Sequence, residues 1–145
     1  MLLGQIEARL SKKHQVALPK EYREELGGTV IVTKGFNTFL QIIAKKNWKV
    51  LLEGSKGRPF TDQATRDLQR YLFGNAIELK LDNQGRMLLP TFLIEHAKLK
   101  RDVIFIGVDR YLELWDKTLF KKYDETVSKA PELLTIDITT SEKHE

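Results

Sequence analysis

Two short polar loops hold the side chains of this chain best suited to chemistry. Asp82 and Arg86 stand four residues apart across Asn83-Gln84-Gly85, and Arg9, Lys12 and Lys13 put three cations within five residues. An acid and an arginine at that spacing have two compatible readings. The pair can fix a turn, or the guanidinium can reach a phosphate or a guanine edge, the commonest specific contact in the major groove. Lys12 and Lys13 read equally as a solvated loop or as phosphate contacts. Nothing else resembles a reaction centre. The chain has no cysteine, and His14, His96 and His144 are far apart with no metal-ligand spacing. Gly54…Gly57 has neither the preceding strand nor the Gly-Lys-Ser/Thr of a phosphate loop, and no nucleophile elbow occurs. The acid pairs Asp62/Asp67 and Glu24/Glu25 fall on expected helix surfaces as solvated charge. The expectation is no enzyme, no metal and no cofactor.

The elements that must position these loops have to come from 145 residues, of which 41% are hydrophobic and 30% charged. That is an ordinary globular composition, long enough for one domain or two small ones. No apolar run approaches the roughly 20 residues of a membrane span. Residues 1–7 show neither the basic start nor the apolar stretch of a signal peptide, so a cytoplasmic address is expected. The net charge of +4 is unevenly spread. Residues 1–71 hold 13 Lys/Arg against 7 Asp/Glu, whereas residues 72–145 hold 11 against 13. A basic half beside a slightly acidic one suggests a polyanionic partner, association of the halves, or chance scatter.

The halves are copies of one another. Gln5-Ile6-Glu7-Ala8-Arg9-Leu10 matches Ala76-Ile77-Glu78-Leu79-Lys80-Leu81, and the same offset of 71 takes Leu18-Pro19 onto Leu89-Pro90 and Glu24 onto Glu95. After one inserted residue the register pairs Gly35 with Gly107, Leu40 with Leu112 and Lys45 with Lys117. Residues 5–10 and 76–81 alternate apolar with polar, as half-buried strands do. Each is followed by a four-residue loop and a short strand, 15–18 or 86–89, and the spacing predicts a local β-hairpin in each copy. Pro19 and Pro90 then open short helices over 20–26 and 91–97. Second hairpins are expected from 29–34 with 39–43 and from 102–108 with 111–115. A helix closes each copy: Trp48, Leu51 and Leu52 form its face in the first, and Leu119, Phe120, Tyr123 and Val127 in the second, capped by Asp116. Gly54 to Pro59 reads as a linker, with Phe60 and Thr61 introducing a helix whose face is Ala64, Leu68, Tyr71 and Leu72.

Asp82-Asn83-Gln84-Gly85-Arg86-Met87-Leu88-Leu89-Pro90 resembles the Asp-x-x-Gly-Arg-x-x-(Ile/Leu)-Pro signature of the MraZ family, tandem members of the AbrB-like DNA-binding proteins. Leu10, Lys13 and Leu18-Pro19-Lys20-Glu21-Tyr22-Arg23 support it in the first copy, as do Gly107-Val108 and Glu113-Leu114-Trp115-Asp116-Lys117 in the second. Trp48 sits where the family has its first-copy tryptophan. The resemblance runs from about Leu3 to Tyr123. It implies an α+β, β-rich fold: two AbrB-like swapped-hairpin repeats, each a double-split β-barrel, with short helices. The divisions expected are 1–53, a linker and helix over 54–74, 75–128, and a C-terminal tail over 129–145.

The resemblance further implies a transcriptional regulator of a division and cell-wall gene cluster, binding repeated sites in double-stranded DNA near its own promoter. It implies a nucleoid-associated homo-oligomeric ring. Arg9, Lys12, Lys13, Gln15 and Arg86 become DNA-binding candidates, with Asp82 and Gly85 structuring the second loop. The first copy departs from the signature, carrying Ser11, His14 and Gln15 where the family has Asp, Gly and Arg. Gln15 can pair with adenine or phosphate but brings no charge. The rival reading is an AbrB-like protein-interaction module, antitoxin-type or an assembly protein. It would hold a partner through Leu133, Leu134, Ile136 and Ile138.

Overall fold

The computed structural model describes residues 1–55, 58–59 and 61–134. Lys56 and Gly57 of the expected linker, Phe60, and tail residues Ile136 and Ile138 lie outside them. Among the described residues eight strands and four α-helices follow the order expected of a repeat: β1 (Gln5–Arg9), β2 (Gln15–Ala17), α1 (Lys20–Leu26), β3 (Thr29–Lys34), β4 (Leu40–Ala44), a 3₁₀ segment (Lys45–Ser55) and α2 (Gln63–Gly74). The second copy runs β5 (Ile77–Lys80), β6 (Arg86–Leu88), α3 (Thr91–Ala97), β7 (Asp102–Val108), β8 (Tyr111–Asp116) and α4 (Lys117–Lys129), with a short 3₁₀ turn at Pro131–Leu134. The fold is mixed α+β with antiparallel strands. Among the described residues no helix is long and apolar enough to cross a membrane.

The pairing of those strands corrects the expected local hairpins. β1 does not pair with β2, nor β5 with β6. β1 pairs with β7 of the second copy, β5 with β3 of the first, and β2 with β6. Six strands form one open sheet in the order β1-β7-β8-β4-β3-β5, and β2 and β6 form a separate two-stranded ribbon. A barrel closed within each copy is therefore not what the chain builds. Period-two alternation announces a strand but says nothing about its partner, and the unpaired edges of β3 and β7 win the competition.

The exchange obeys a pseudo-twofold axis. Swapping the copies turns the β1–β7 ladder into β5–β3 and the β3–β4 ladder into β7–β8, while β4–β8 and β2–β6 map onto themselves. The axis passes through the paired Gln41 and Glu113 in the sheet and the paired Val16 and Met87 in the ribbon. Registers also correct the alignment within β3 and β7. Thr29 opposite Lys80 corresponds to Asp102 opposite Arg9, so Gly35 is not the counterpart of Gly107. Gly27-Gly28 joins α1 to β3, whereas Lys98-Leu99-Lys100-Arg101 joins α3 to β7. A shorter β7–β8 turn then restores the offset seen at Leu40 and Leu112.

One core spans both copies. Val16, Leu18, Val30, Val32, Leu40 and Ile42 of the first pack with Met87, Leu89, Val103, Phe105, Leu112 and Leu114 of the second, all fully buried. Each such side chain contributes roughly 1.5–3 kcal/mol. The opposite face of the sheet is covered in two parts. Phe39, Ile104, Trp115 and Phe120 pack under α4, and Ile43, Leu51 and Leu72 pack under α2 and the 3₁₀ segment. β4, buried along its whole length, lies between these layers.

Several local expectations shift. The first copy closes with a 3₁₀ segment rather than an α-helix, with Leu51 buried and Trp48 at the surface edge-on to Phe73. On α2 the buried position near the start is Thr65, not Ala64, which is exposed. Thr65 Oγ1 donates to Asp62 Oδ2 at 2.6 Å, so a satisfied hydroxyl goes inward. Asp116 caps α4 as expected, its Oδ2 accepting from Leu119 N at 3.2 Å. On that helix Phe120 is buried, while Tyr123 is exposed yet packs its ring on Trp115. His96 is half-buried, with Nε2 at 3.2 and 3.0 Å from the Gly35 and Asn37 carbonyls, which pins the β3–β4 turn.

Gly107 shows how tightly the N-terminus is laid down. A β-carbon there would sit 2.5 Å from Leu3 N and 2.6 Å from Leu2 C, both backbone atoms. Gly107→Ala must lift this segment, breaking the Gly107 N to Gly4 O hydrogen bond and exposing the buried Leu2. The expected loss is about 2–3 kcal/mol, one buried leucine's worth, read as a lower thermal midpoint. An unchanged midpoint would mean the segment does not bear on the fold.

Candidate nucleic-acid interface

The β2–β6 ribbon brings the two signature loops together. Its inward side chains, Val16 and Met87, are buried, so the alternation of a strand turns Gln15, Ala17, Arg86 and Leu88 outward. Each loop ends on the other copy: Leu18 N donates to the Gly85 carbonyl at 2.8 Å, and Leu89 N to the His14 carbonyl at 2.9 Å. The loops thus flank a ribbon three residues long, about 10 Å at the usual rise per residue. Gln15 and Arg86 occupy equivalent positions on it.

In the second loop Asp82 is the organiser. Its Oδ1 accepts from Gln84 N and Arg86 N, both at 2.9 Å, and its Oδ2 accepts from Arg86 Nε at 2.6 Å. The Arg86 backbone and side-chain donors hold the Asp82 carboxyl below its ordinary range. Gly85 takes φ of +74°, and the Arg23 side chain of α1 lies where a β-carbon would go, its Nε donating to the Leu18 carbonyl at 2.6 Å. Arg23 is a cation of this loop that sequence reasoning did not single out, because it comes from the other copy. Its place in the matching Leu18-Pro19-Lys20-Glu21-Tyr22-Arg23 stretch was the available signal.

The first loop reaches the same backbone shape with other residues. Ser11 Oγ accepts from Lys13 N at 3.2 Å and from Gln15 N at 3.0 Å, the counterparts of the two amides that Asp82 Oδ1 holds. His14 adopts φ of +64°, as Gly85 does. Ser11 therefore replaces the turn-fixing function of the acid but not its charge or its grip on an arginine. Lys12 and Lys13 are exposed. Arg9 lies within 3.7 Å of Asp102 through exposed side chains, which offsets part of its charge. Arg86 is about half exposed, and its bond to Asp82 uses Nε, leaving the two terminal nitrogens without a protein partner among the described residues.

The difference between the loops is testable by pH. A depressed folded pKa means that Asp82 supports its turn fully above the unfolded carboxylate value of about 3.9 and loses that support as pH falls through the lower folded value. On acidification the Gln84 and Arg86 amides should lose protection relative to their intrinsic exchange rates, while those of Lys13 and Gln15, held by a hydroxyl, should show no such step. Equal responses in both loops would contradict this assignment. Among the described residues no group of His, Asp and Glu is placed to hold a metal ion.

Fold and site together define a tandem-repeat α+β chain that displays two equivalent β-turn loops across one ribbon, as a symmetric dimer would. A family model described as "MraZ protein, putative antitoxin-like" matches residues 1–71 and again 72–134. The chain is 39% identical over 126 residues to the transcriptional regulator MraZ of Caldanaerobacter subterraneus subsp. tengcongensis, covering 87% of this chain and 88% of that protein. It is 41% identical over 123 residues to the transcriptional regulator MraZ of Carboxydothermus hydrogenoformans, covering 85% and 86%. A third such regulator, from Clostridium acetobutylicum, is 38% identical over 126 residues, or 87% and 89%. The chain belongs to the MraZ family.

Proposed function

We propose that this protein is a sequence-specific DNA-binding transcriptional regulator with no enzymatic role, working at the nucleoid in the cytoplasm. The observation that carries the reading is the ribbon that sets both signature loops on one outward surface, with cations at its flanks. A two-stranded ribbon fits the major groove, about 12 Å wide. Arg86 would read a guanine edge and Gln15 an adenine, while Lys12 and Lys13 contact phosphates beside them, with Arg9 partly held back by Asp102. Asp82 and Gly85 keep the second loop in shape. Relatives named as transcriptional regulators support the role. The exchange of β1 and β5 between copies is consistent with a swapped-hairpin arrangement, in which one chain does the work of an AbrB-type dimer.

One chain with a few contacts binds weakly. Several chains joined in a ring on repeated sites would raise apparent affinity by about 10²–10⁴ through effective concentration. The sites proposed are repeats upstream of the protein's own gene, within a division and cell-wall cluster. Gel retardation of that upstream region at two salt concentrations tests this. Retarded DNA that survives non-specific competitor is expected, and no retardation at low salt would contradict it. The protein-interaction reading rests on Leu133 and Leu134, exposed on the Pro131–Leu134 turn. It would be favoured if the chain co-purified with a stoichiometric partner protein and bound no DNA.

A further inference from the structure

We propose that the segment joining α3 to β7 supplies a phosphate-binding groove beside the first loop, so that cations of the second copy stand in for the arginine the first loop lacks. The proposal rests on the DNA-binding reading above and adds residues to it. The counterpart connection in the first copy is Gly27-Gly28, uncharged, whereas this one reads Lys98-Leu99-Lys100-Arg101. The extra length therefore brings three cations to one end of the molecule only.

The segment is held in place at several points. Leu99 is buried and donates its N–H to the Ile94 carbonyl at 3.0 Å. The Arg101 carbonyl accepts from Leu10 N at 2.8 Å, tying it to the base of the first loop, and Lys100 N donates to Asp116 Oδ1 at 3.2 Å. A cleft of about 130 Å³ lies between the two pieces of chain, lined by Lys12, His14, Lys100 and Arg101 over an apolar floor that includes Ile94 and Leu99. Lys100 also borders a second cleft of about 180 Å³ with Lys98 and with Lys122 of α4. The two clefts make one basic path from the first loop to α4.

Two features support reading this path as a binding surface. First, Lys12, Lys98, Lys100 and Lys122 gather along these two clefts with no ion-pair partner among the described residues; other lysines such as Lys13, Lys20 and Lys34 are also unpaired, but they line neither cleft. The acid lining the second cleft, Asp116, is buried, and its oxygens are occupied by the Leu119 and Lys100 amides. Second, Lys98 caps α3 at φ of +52°, a left-handed position that glycine adopts without steric cost. A lysine there costs stability, and a charge needed at that spot accounts for it. Unpaired cations along a groove beside a DNA-facing loop suit duplex phosphates.

The test is fluorescence anisotropy of the full chain with its upstream duplex between 50 and 200 mM salt. Each phosphate contact contributes about 0.9 to the slope of log affinity against log salt. The double variant Lys98→Ala with Lys100→Ala should therefore flatten the slope by roughly two, with its preference over competitor DNA unchanged. Lys46→Ala with Lys49→Ala, on the 3₁₀ segment, should leave it as in the wild type. Lys98→Gly separates binding from folding: it should raise the melting temperature while lowering the slope by about one. Wild-type slopes in the Lys98/Lys100 variants would overturn the groove while leaving the DNA reading intact. Absence of binding by the wild type at 50 mM salt would overturn both.

Discussion

Expressed separately, residues 1–74 and 75–134 will not fold as monomers, and mixing them will restore the native β-sheet signal. In the first fragment β1 and β2 have no partners, because β7 and β6 lie in the second. In the second fragment β5 and β6 are stranded in the same way. Each fragment would also expose its half of the shared core, Val30 and Ile42 on one side and Phe105 and Leu114 on the other. A core of this size alone rarely supplies more than about 3–5 kcal/mol even when intact, and here the facing side chains of the other copy are missing. Circular dichroism with sedimentation checks the result. Association of a fragment with a second copy of itself would agree, since it would re-form the exchange between identical chains. A fragment that melts cooperatively as a monomer would contradict the shared core.

Arg86→Ala should weaken binding to the upstream DNA about 10- to 100-fold, the cost of one bidentate guanine contact of roughly 1–3 kcal/mol. Preference at one base position should relax with it. The fold should survive, because the ion pair lost is half-exposed and such pairs contribute about 0–1 kcal/mol, while Asp82 Oδ1 still accepts the two backbone amides that make the turn. Gln15→Ala should cost less, since an uncharged side chain occupies the equivalent position. Affinity by anisotropy beside a thermal melt separates the roles. Unchanged affinity, or unfolding, would make Arg86 a structural residue instead.

The sequence carries the duplication in plain view, because matched residues such as Leu18-Pro19 and Leu89-Pro90 serve equivalent turns into α1 and α3. Most element types were legible for the same reason, the exception being the close of the first copy, a 3₁₀ segment where an α-helix was expected. Strand partners were not: Gln5–Arg9 alternates equally well against a neighbour in its own copy or one nearly a hundred residues away. The equivalence of the loops was hidden by chemistry. Ser11 looks like a departure from Asp82 until its hydroxyl is seen holding the same two amides. The cations at Lys98, Lys100 and Arg101 lie between the quoted motifs, and it is the β1–β7 pairing, continued by the Leu10 to Arg101 hydrogen bond, that brings them to the first loop. Arg23 was obscured in the same way, by crossing from one copy to the other's loop.

In the proposed complex the ribbon and its flanking loops face DNA as one surface. Hydrogen–deuterium exchange of the full chain, with and without its upstream duplex, tests it most directly. Slowed exchange is expected over residues 11–17, 82–88 and 98–101 together, with α2 and the 3₁₀ segment before it unchanged. Protection confined to α2, α4 or the Pro131–Leu134 turn, with both loops exchanging as in the free protein, would contradict it.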